Sequence, residues 1–457
     1  TNKLYIFQNV PYSSYELEDH NFLDVNIKVL NILGLWNYHW KNKQSWRYIA
    51  YFSYSSIASI FLVLHTFCMI MGLILNPEFS DFAEVAWVAN NFFATTVKYI
   101  FIFVQMDQVQ ENIMKLRGGV LTKGLRWCQE QDNILRKINK QVKTLSIIYF
   151  SIGASAVVMM HAAVGSSYYK LYMELSGAQN YTGQDEKLAL IGKVWLPVDL
   201  QDPKTYLFIF VFQTIIYTIG PGANIATDAL IAGLLIHMCG EFHVLKYALR
   251  NLKRRALQLL QQDRIVKHGN PDLKLLQLKM ENYSDGSNIK YVMHTEADLD
   301  AKIYEAFVEG IKHHQEILKF VIQMEEQFSA MMFVQFLSIS LRLCLTIFSI
   351  TVAEDEVKFM VYLQMLIISF MQGLLYCWFG SELTYQSEDI SRVMYETPWL
   401  QGSRKFRSSV VIVTMRAQKL VQLTGGKIYT MSLDTFSAMV YGSFSFFKVL
   451  QEFSTSD

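Results

Sequence analysis

The chain has 457 residues, of which 52% are hydrophobic and only 18% are charged, and its formal net charge is +1. A soluble domain carries about a quarter charged residues, and binding to nucleic acid depends on a strongly basic face. Composition and charge therefore exclude a nucleic-acid-binding protein and predict an integral membrane protein.

Seven apolar stretches follow one another along the chain, each close to the roughly 20 residues that a helix needs to cross a bilayer. They cover residues 48–76, 85–104, 145–169, 205–238, 328–352, 359–380 and 428–453. The fourth contains Gly220-Pro221-Gly222, which predicts a kink. The seventh is the least apolar. We therefore predict an all-α membrane protein with seven transmembrane helices.

The distribution of basic residues predicts the orientation of these helices, because cytoplasmic loops are enriched in lysine and arginine. Most basic residues precede the first stretch or lie in the loops after the second, fourth and sixth. The opposite side has only Lys170, Lys187, Lys193, Lys204 and Lys358. The N-terminus is therefore expected in the cytoplasm and the C-terminus outside. Of two glycosylation sequons, only the one at Asn180 would then be extracellular. A metabotropic seven-helix receptor, with the reverse orientation, is the alternative.

The remaining segments fit a cytoplasmic helical anchor. Residues 29–36 resemble a helix at the membrane interface, and an apolar stripe from residue 299 predicts a helix that runs into the fifth stretch. An amphipathic helix over 403–423 is expected to end at Gly425-Gly426. The predicted divisions are 1–47, a cytoplasmic segment; 48–238, helices 1–4; 239–327, the anchor; 328–380, helices 5–6; 381–427, a cytoplasmic link and amphipathic helix; and 428–457, helix 7 and a short extracellular tail.

No motif for catalysis or for a cofactor is found in the sequence, so neither an enzyme nor a bound cofactor is predicted. His313 and His314 are adjacent on a predicted helix, where neighbours do not face one ligand, so a metal site is not expected either. All five cysteines fall in predicted spans or on the cytoplasmic side, where thiols stay reduced.

The seventh helix carries a stripe of small or polar residues on one face. Steps of three and four residues place them together: Thr435, Ala438, Gly442, Ser445, Val449 and Glu452. One interpretation is tight packing against a neighbouring helix. The other is that several copies surround a pore, which Val449 closes as a hydrophobic constriction and whose mouth Glu452 makes attractive to cations.

The segment from Tyr376 to Gln451 resembles the C-terminal signature of insect odorant receptors. The residues that carry the resemblance are Tyr-Cys-Trp-Phe-Gly through Gly380, Ser387, Tyr395, Trp399, Arg404, Lys419, Gly425-Gly426, residues 432–436 and residues 443–450. The resemblance implies a tetrameric, ligand-gated, non-selective cation channel in which the final helices of all subunits line the pore. Val449 matches the family's hydrophobic gate, whereas Glu452 replaces a glutamine common in the co-receptor.

Within that family the ending at 441–450 resembles the tuning receptors. The resemblance therefore implies an odorant-binding subunit that assembles with the shared co-receptor, Orco, as a heterotetramer in the plasma membrane of an olfactory dendrite. A gustatory-type channel of the same superfamily is the nearer alternative to a metabotropic receptor.

The resemblance also implies a pocket for a small volatile ligand in the outer half of the subunit, between the second, third, fourth and sixth helices. The candidate lining residues are Trp87, Asn91, Phe92, Ala156, Met160, Phe208, Phe212, Ile215, Phe359, Tyr362 and Met365. Aromatic side chains and methionine suit an adaptable apolar pocket, although each candidate also fits ordinary packing. Tyr362, Phe92 and Met160 are the preferred contacts.

Two basic residues interrupt the apolar stretches, and charges inside a membrane span are functional candidates by default. Lys98 lies toward the cytoplasmic end of the second stretch, so its side chain is expected to reach the interface. Arg342 lies near the middle of the fifth stretch and is expected to form a structural polar pair.

Overall fold

The computed structural model describes residues 22–75, 79–117, 127–175, 194–196, 203–268, 296–353 and 356–456. The two glycosylation sequons, at Asn180 and Asn282, lie outside these residues.

Helices make up most of the described chain. They are α1 (Asp24–Ile32), α2 (Trp46–Leu75), α3 (Phe79–Val104), α4 (Met106–Arg117), α5 (Gln129–Leu175), α6 (Pro203–Arg250), α7 (Leu252–His268), α8 (Glu296–Thr351), α9 (Glu356–Glu396), α10 (Arg404–Ala417) and α11 (Leu433–Ser456). A 3-10 turn (Trp399–Gln401) precedes α10, and two short strands, β1 (Thr424–Gly425) and β2 (Tyr429–Thr430), precede α11.

Six of these helices are long and apolar enough to cross a membrane: α2, α3, α5, α6, α8 and α9. They contain the described residues of the first six predicted stretches except Val352, which confirms a helical membrane protein. α6 continues as one helix through Pro221. α8 is continuous over 56 residues, about 80 Å at 1.5 Å per residue. The predicted continuity from residue 299 into the fifth stretch is therefore confirmed.

The packing centres on α6 and α8. α6 contacts α3, α5, α8 and α9, while α8 contacts α3, α7, α9 and α11. One large apolar cluster runs through both helices and includes Phe242, Leu245 and Leu249 from α6 with Phe307 and Ile317 from α8, all of them fully buried. Burying apolar surface contributes about 25 cal/mol per Å² to stability. The burial of these large side chains therefore stabilises the packing of α6 against the part of α8 that precedes the predicted fifth span.

α1 packs against other helices of the chain, in the region where the sequence predicts a helix at the membrane interface over residues 29–36. Ile27 and Leu30 are buried in the main cluster, and the Asn26 side-chain amide donates to the carbonyl of Ala229 in α6 at 2.9 Å. The Phe22 ring stacks on His237 with centroids 4.1 Å apart. Most of the short apolar patch is therefore covered by protein, while Ile32 stays exposed.

A hairpin separates α10 from α11, and it corrects two predicted boundaries. α10 begins after Ser403, whose hydroxyl accepts from the Phe406 amide, but it ends at Ala417 rather than beside Gly425-Gly426. Instead β1 pairs antiparallel with β2, and Gly426 has a φ of 62° in the turn between them. α11 consequently starts at Leu433, five residues later than the apolar stretch.

The hairpin approaches α9 so closely at Gly380 that a side chain is excluded there. A Cβ added to Gly380 would lie 2.6 Å from the Cβ of Met431 and would also overlap the Met431 carbonyl. We predict that Gly380→Ala destabilises the protein by about 1–3 kcal/mol, the usual cost of overpacking. This is measurable as a lower melting temperature in detergent and less protein at the cell surface.

Gly442 in α11 provides the matched control, because a Cβ there would meet nothing within 4 Å. Gly442→Ala is expected to keep wild-type melting temperature and surface abundance. Equal stability of the Gly380→Ala and Gly442→Ala variants would contradict the close approach of the hairpin.

Candidate ligand and pore sites

The predicted ligand residues fall into two groups in the structure. The first group lies between α3, α8 and α9. Trp87 and Tyr362 are buried together with Ala86 and Leu345, and Met365 packs against this cluster. The rings of Trp87 and Tyr362 meet edge to face, with centroids 6.4 Å apart. We call this set the α3–α9 cluster.

The second group lies between α2, α3 and α6. The Phe92 ring contacts His65 with centroids 4.5 Å apart and Tyr217 with centroids 4.8 Å apart. Phe212 meets Phe61 edge to face at 5.5 Å. His65 and Tyr217 were not predicted, although a histidine inside an uncharged membrane span is a signal that could have identified His65.

The other candidates do not share one environment. Ala156 is buried in α5, and Met160 packs at the edge of the main cluster. Phe208, Ile215 and Phe359 lie on the outer surface, 70%, 50% and 42% exposed, where a membrane helix meets lipid. The structure does not bring these three together with the α3–α9 cluster or with Phe92, so their part in binding remains a prediction that their placement does not support.

A buried ion pair lies at the centre of the membrane helices. Lys98 in α3 is 2% exposed, pairs with Asp228 in α6 and donates to the Asn224 side-chain oxygen at 2.6 Å. The expectation that Lys98 reaches the interface is therefore wrong, because its amino group has a carboxylate partner inside the bundle.

Asp228 gathers donors from three further side chains. The Tyr149 hydroxyl donates to it at 3.2 Å, and Tyr376 and Gln372 also donate to its carboxylate. The network thus joins α3, α5, α6 and α9. Sequence reasoning missed Asp228, although a lone carboxylate in the fourth apolar stretch is the natural partner for a cation in another span.

Arg342 in α8 lies beside this network but has amide partners. Its Nη1 donates to the Asn91 side-chain oxygen at 2.6 Å, and its Nη2 donates to Gln372. Gln372 in turn donates to Asp228. Among the described residues no carboxylate lies within ion-pair distance of Arg342. Arg342 therefore forms the expected polar contacts, and it leaves one buried positive charge without a paired acid.

The last helix, α11, divides into a packed face and an exposed face. Phe436, Ser443 and Phe447 are buried, and the Ser443 hydroxyl lies 2.9 Å from the Ser340 carbonyl oxygen of α8, to which it donates. On the other side, Ala438, Ser445, Val449 and Glu452 are exposed. Gly442 has open space beside it. Most of the predicted stripe is thus turned away from the rest of the chain.

The adjacent histidines of α8 face different partners, as helix geometry requires. His313 Nε2 lies 3.4 Å from the Glu241 carboxylate of α6, while the His314 ring lies 6.3 Å from the ring of Phe242. Glu241 also lies 3.3 Å from His237 Nε2. The contact between Glu241 and His313 connects α6 and α8 in the part of α6 that follows Asp228.

Comparison with known proteins identifies the fold and the family. The family model described as 7tm Odorant receptor matches residues 78–444. Over 97% of both chains, the protein is 20% identical to Odorant receptor Or1 of Anopheles gambiae. It is 20% identical to the Odorant receptor coreceptor of Aedes aegypti over 86% of this chain and 89% of that one. The match to Odorant receptor 10 of Aedes albopictus, at 24% identity, covers 40% of this chain and only 47% of that relative.

Solved structures give the same fold. The insect olfactory receptor OR5 from Machilis hrabei superposes with a TM-score of 0.68 at 14% identity, covering 94% of this chain and 97% of that one. The same receptor in complex with eugenol superposes with a TM-score of 0.69, covering 95% and 100% of the two chains. The matches extend over nearly the whole helical architecture described above.

Proposed function

Because this chain belongs to the insect odorant receptor family, we propose that it is the odorant-binding subunit of a ligand-gated, non-selective cation channel. A volatile small molecule binds among the membrane helices and opens a central pore. The pore forms in a heterotetramer with the shared co-receptor, Orco, in the plasma membrane of an olfactory dendrite.

The observation that carries this proposal is the exposed stripe of α11. The opposite face of the helix is packed on α8 and α9, whereas Ser445, Val449 and Glu452 are exposed and a Cβ added to Gly442 would meet nothing within 4 Å. A helix that only faced lipid would not need small and polar residues there. Several copies of this face around one axis form a wet path that Val449 constricts, with Glu452 favouring cations.

The proposed topology has seven crossings, with the N-terminus in the cytoplasm and the C-terminus outside. α11 is then the seventh crossing beside the six long apolar helices. Its weak hydrophobicity suits a helix that meets water on one face. Residues 239–327 and 381–427 are then the cytoplasmic anchor and link, and Asn180 is extracellular.

The contacts of α8 suggest how binding reaches the pore. Asn91 in α3, a proposed ligand contact, accepts from Arg342, and the neighbouring Asn90 donates to the Ser338 carbonyl at 2.8 Å. Between these two positions on α8, Ser340 accepts from Ser443 of α11. The contacts of α3 and of α11 therefore lie within one turn of each other on α8. A ligand that displaces α3 relative to α8 would move the segment of α8 that holds α11.

We predict that cells that express this chain together with Orco give odorant-evoked inward current carried by cations. Neither subunit alone should give the same response to the odorant. The measurement is whole-cell current during a broad panel of volatiles, with surface labelling to show that both subunits are present.

An epitope tag after Asp457 separates this function from a metabotropic one. The tag should be labelled by antibody on intact cells, because the channel topology places the C-terminus outside. A tag that is labelled only after permeabilisation, or no response to any volatile despite surface expression, would contradict the proposed function.

A further inference from the structure

We propose that the activating ligand carries a hydrogen-bond acceptor oxygen, as in a ketone, ester or carboxylic acid, and that Trp87 and Arg342 bind this oxygen. This inference rests on the proposed function and assigns a ligand class to the α3–α9 cluster.

Two buried donors in this region have no acceptor. Trp87 and Arg342 are each 4% exposed, and within the part of the chain that the structure describes neither the Trp87 Nε1 nor the Arg342 Nε has a hydrogen-bond partner. Indole and guanidinium nitrogens can only donate. Most buried polar groups in proteins are hydrogen-bonded, so each exception calls for an explanation. The two donors without partners, Trp87 Nε1 and Arg342 Nε, indicate a site for a ligand that supplies a hydrogen-bond acceptor.

Helix geometry places the two donors close to each other. Trp87 lies one turn before Asn91 on α3, and the Asn91 oxygen is 2.6 Å from Arg342 Nη1. On α8, Leu345 lies one turn after Arg342 and packs in the same cluster as Trp87. Residues three and four apart share a helix face. The donors therefore occupy facing positions about one turn apart.

Charge adds to the preference for an acceptor. One carboxylate, Asp228, serves two buried cations: it pairs directly with Lys98 and is linked to Arg342 only through Gln372. Asp228 already accepts from Lys98, Tyr149, Gln372 and Tyr376. A ligand oxygen that carries negative charge or a strong dipole is attracted by the positive charge of Arg342, which no carboxylate of the described residues pairs with directly, in a medium of low dielectric constant.

The walls of the cluster define the rest of the ligand. Leu345, Tyr362 and Met365 surround the indole with apolar and aromatic surface, which suits a hydrocarbon chain or ring. The ligand class is thus an apolar volatile with one acceptor oxygen. A saturated hydrocarbon of equal length would leave both donors unpaired.

The test is a size-matched panel applied to cells that express this chain with Orco. Heptane, 1-heptene, 2-heptanone, methyl hexanoate and hexanoic acid are measured together with six- to ten-carbon members of the same classes. Carbonyl compounds, esters or acids are expected to activate at concentrations at least about tenfold lower than hydrocarbons of equal length, the discrimination expected of a charge-assisted hydrogen bond.

Trp87→Phe then removes one donor and retains an aromatic ring. The concentration of oxygenated ligand for half-maximal current is expected to rise about tenfold more than that of any hydrocarbon that activates the receptor, because only the oxygenated ligand loses a hydrogen bond. Trp127→Phe is the matched control. The Trp127 Nε1 also has no partner in the described chain, but Trp127 packs beside Tyr247, roughly 30 Å along α6 from Asp228, so its substitution should alter neither response.

Equal potency of hydrocarbons and oxygenated volatiles, or an equal shift for both on Trp87→Phe, would overturn the assigned ligand class while leaving the receptor function intact. Silence toward the whole panel, with both subunits at the cell surface, would overturn the proposed function and the ligand class together.

Discussion

Asp228→Ala is expected to remove most of the protein from the cell surface. The substitution leaves Lys98 and Arg342 as two buried cations with no acid between them, and it also strands the hydroxyls of Tyr149 and Tyr376. Breaking one side of a buried ion pair costs about 3–5 kcal/mol, a large part of the 5–15 kcal/mol that typically holds a folded domain together. The measurement is surface biotinylation, with the melting temperature of the detergent-solubilised protein alongside.

The double variant Lys98→Met with Asp228→Leu separates charge imbalance from lost packing. Because it removes the charge of Lys98 together with that of Asp228, it should recover the part of the surface expression that the unpaired Lys98 costs, as buried ion pairs replaced by apolar groups often do, while the part due to Arg342, Tyr149 and Tyr376 stays lost. Wild-type surface levels of Asp228→Ala would show that Asp228 does not balance the buried cations.

The positions of the membrane helices could be predicted from sequence because bilayer thickness sets their length. The described residues of each of the first six apolar stretches fall in one long helix, except Val352 at the end of the fifth, and the break before α9 falls where the sequence turns polar. The continuity of α8 could also be predicted from sequence, because its apolar stripe keeps the helical period from residue 299 onward.

The rotation of each helix about its axis could not be predicted in the same way. A span that is apolar all round gives no sign of which side meets protein. On α6 the buried side is formed by Ile209, Gln213 and Ile216, which leaves Phe208 and Ile215 on the outer surface. Only α11 shows a small and polar stripe that could be recognised from sequence, which left packing against a neighbour and lining of a pore both open, and most of those residues are exposed in the structure.

The polar network escaped prediction for a different reason. Its members are far apart in sequence: the Lys98–Asp228 contact spans 130 residues and the Arg342–Asn91 contact spans 251. Each residue alone is a charge or an amide in an apolar stretch, and single-residue arguments assigned Lys98 to the interface. Only the packing of α3 against α6 and α8 turns these separate residues into one site.

The central claim is that the exposed face of α11 lines a water-filled pore, and two serines on that helix test it directly. Ser445 lies on the exposed face, whereas Ser443 is 1% exposed and donates to Ser340 of α8. Both hydroxyls also bond the carbonyl four residues earlier. The residues differ in the direction they face and scarcely at all in local structure.

Each serine is replaced by cysteine, the chain is expressed with Orco, and a positively charged thiol reagent is added from outside during odorant-evoked current. Modification of Ser445→Cys is expected to block the current progressively, whereas Ser443→Cys and the wild type, with its five native cysteines, should keep theirs. Unchanged current through Ser445→Cys after its thiol is shown to have reacted, or equal block of the two variants, would contradict a pore along this face.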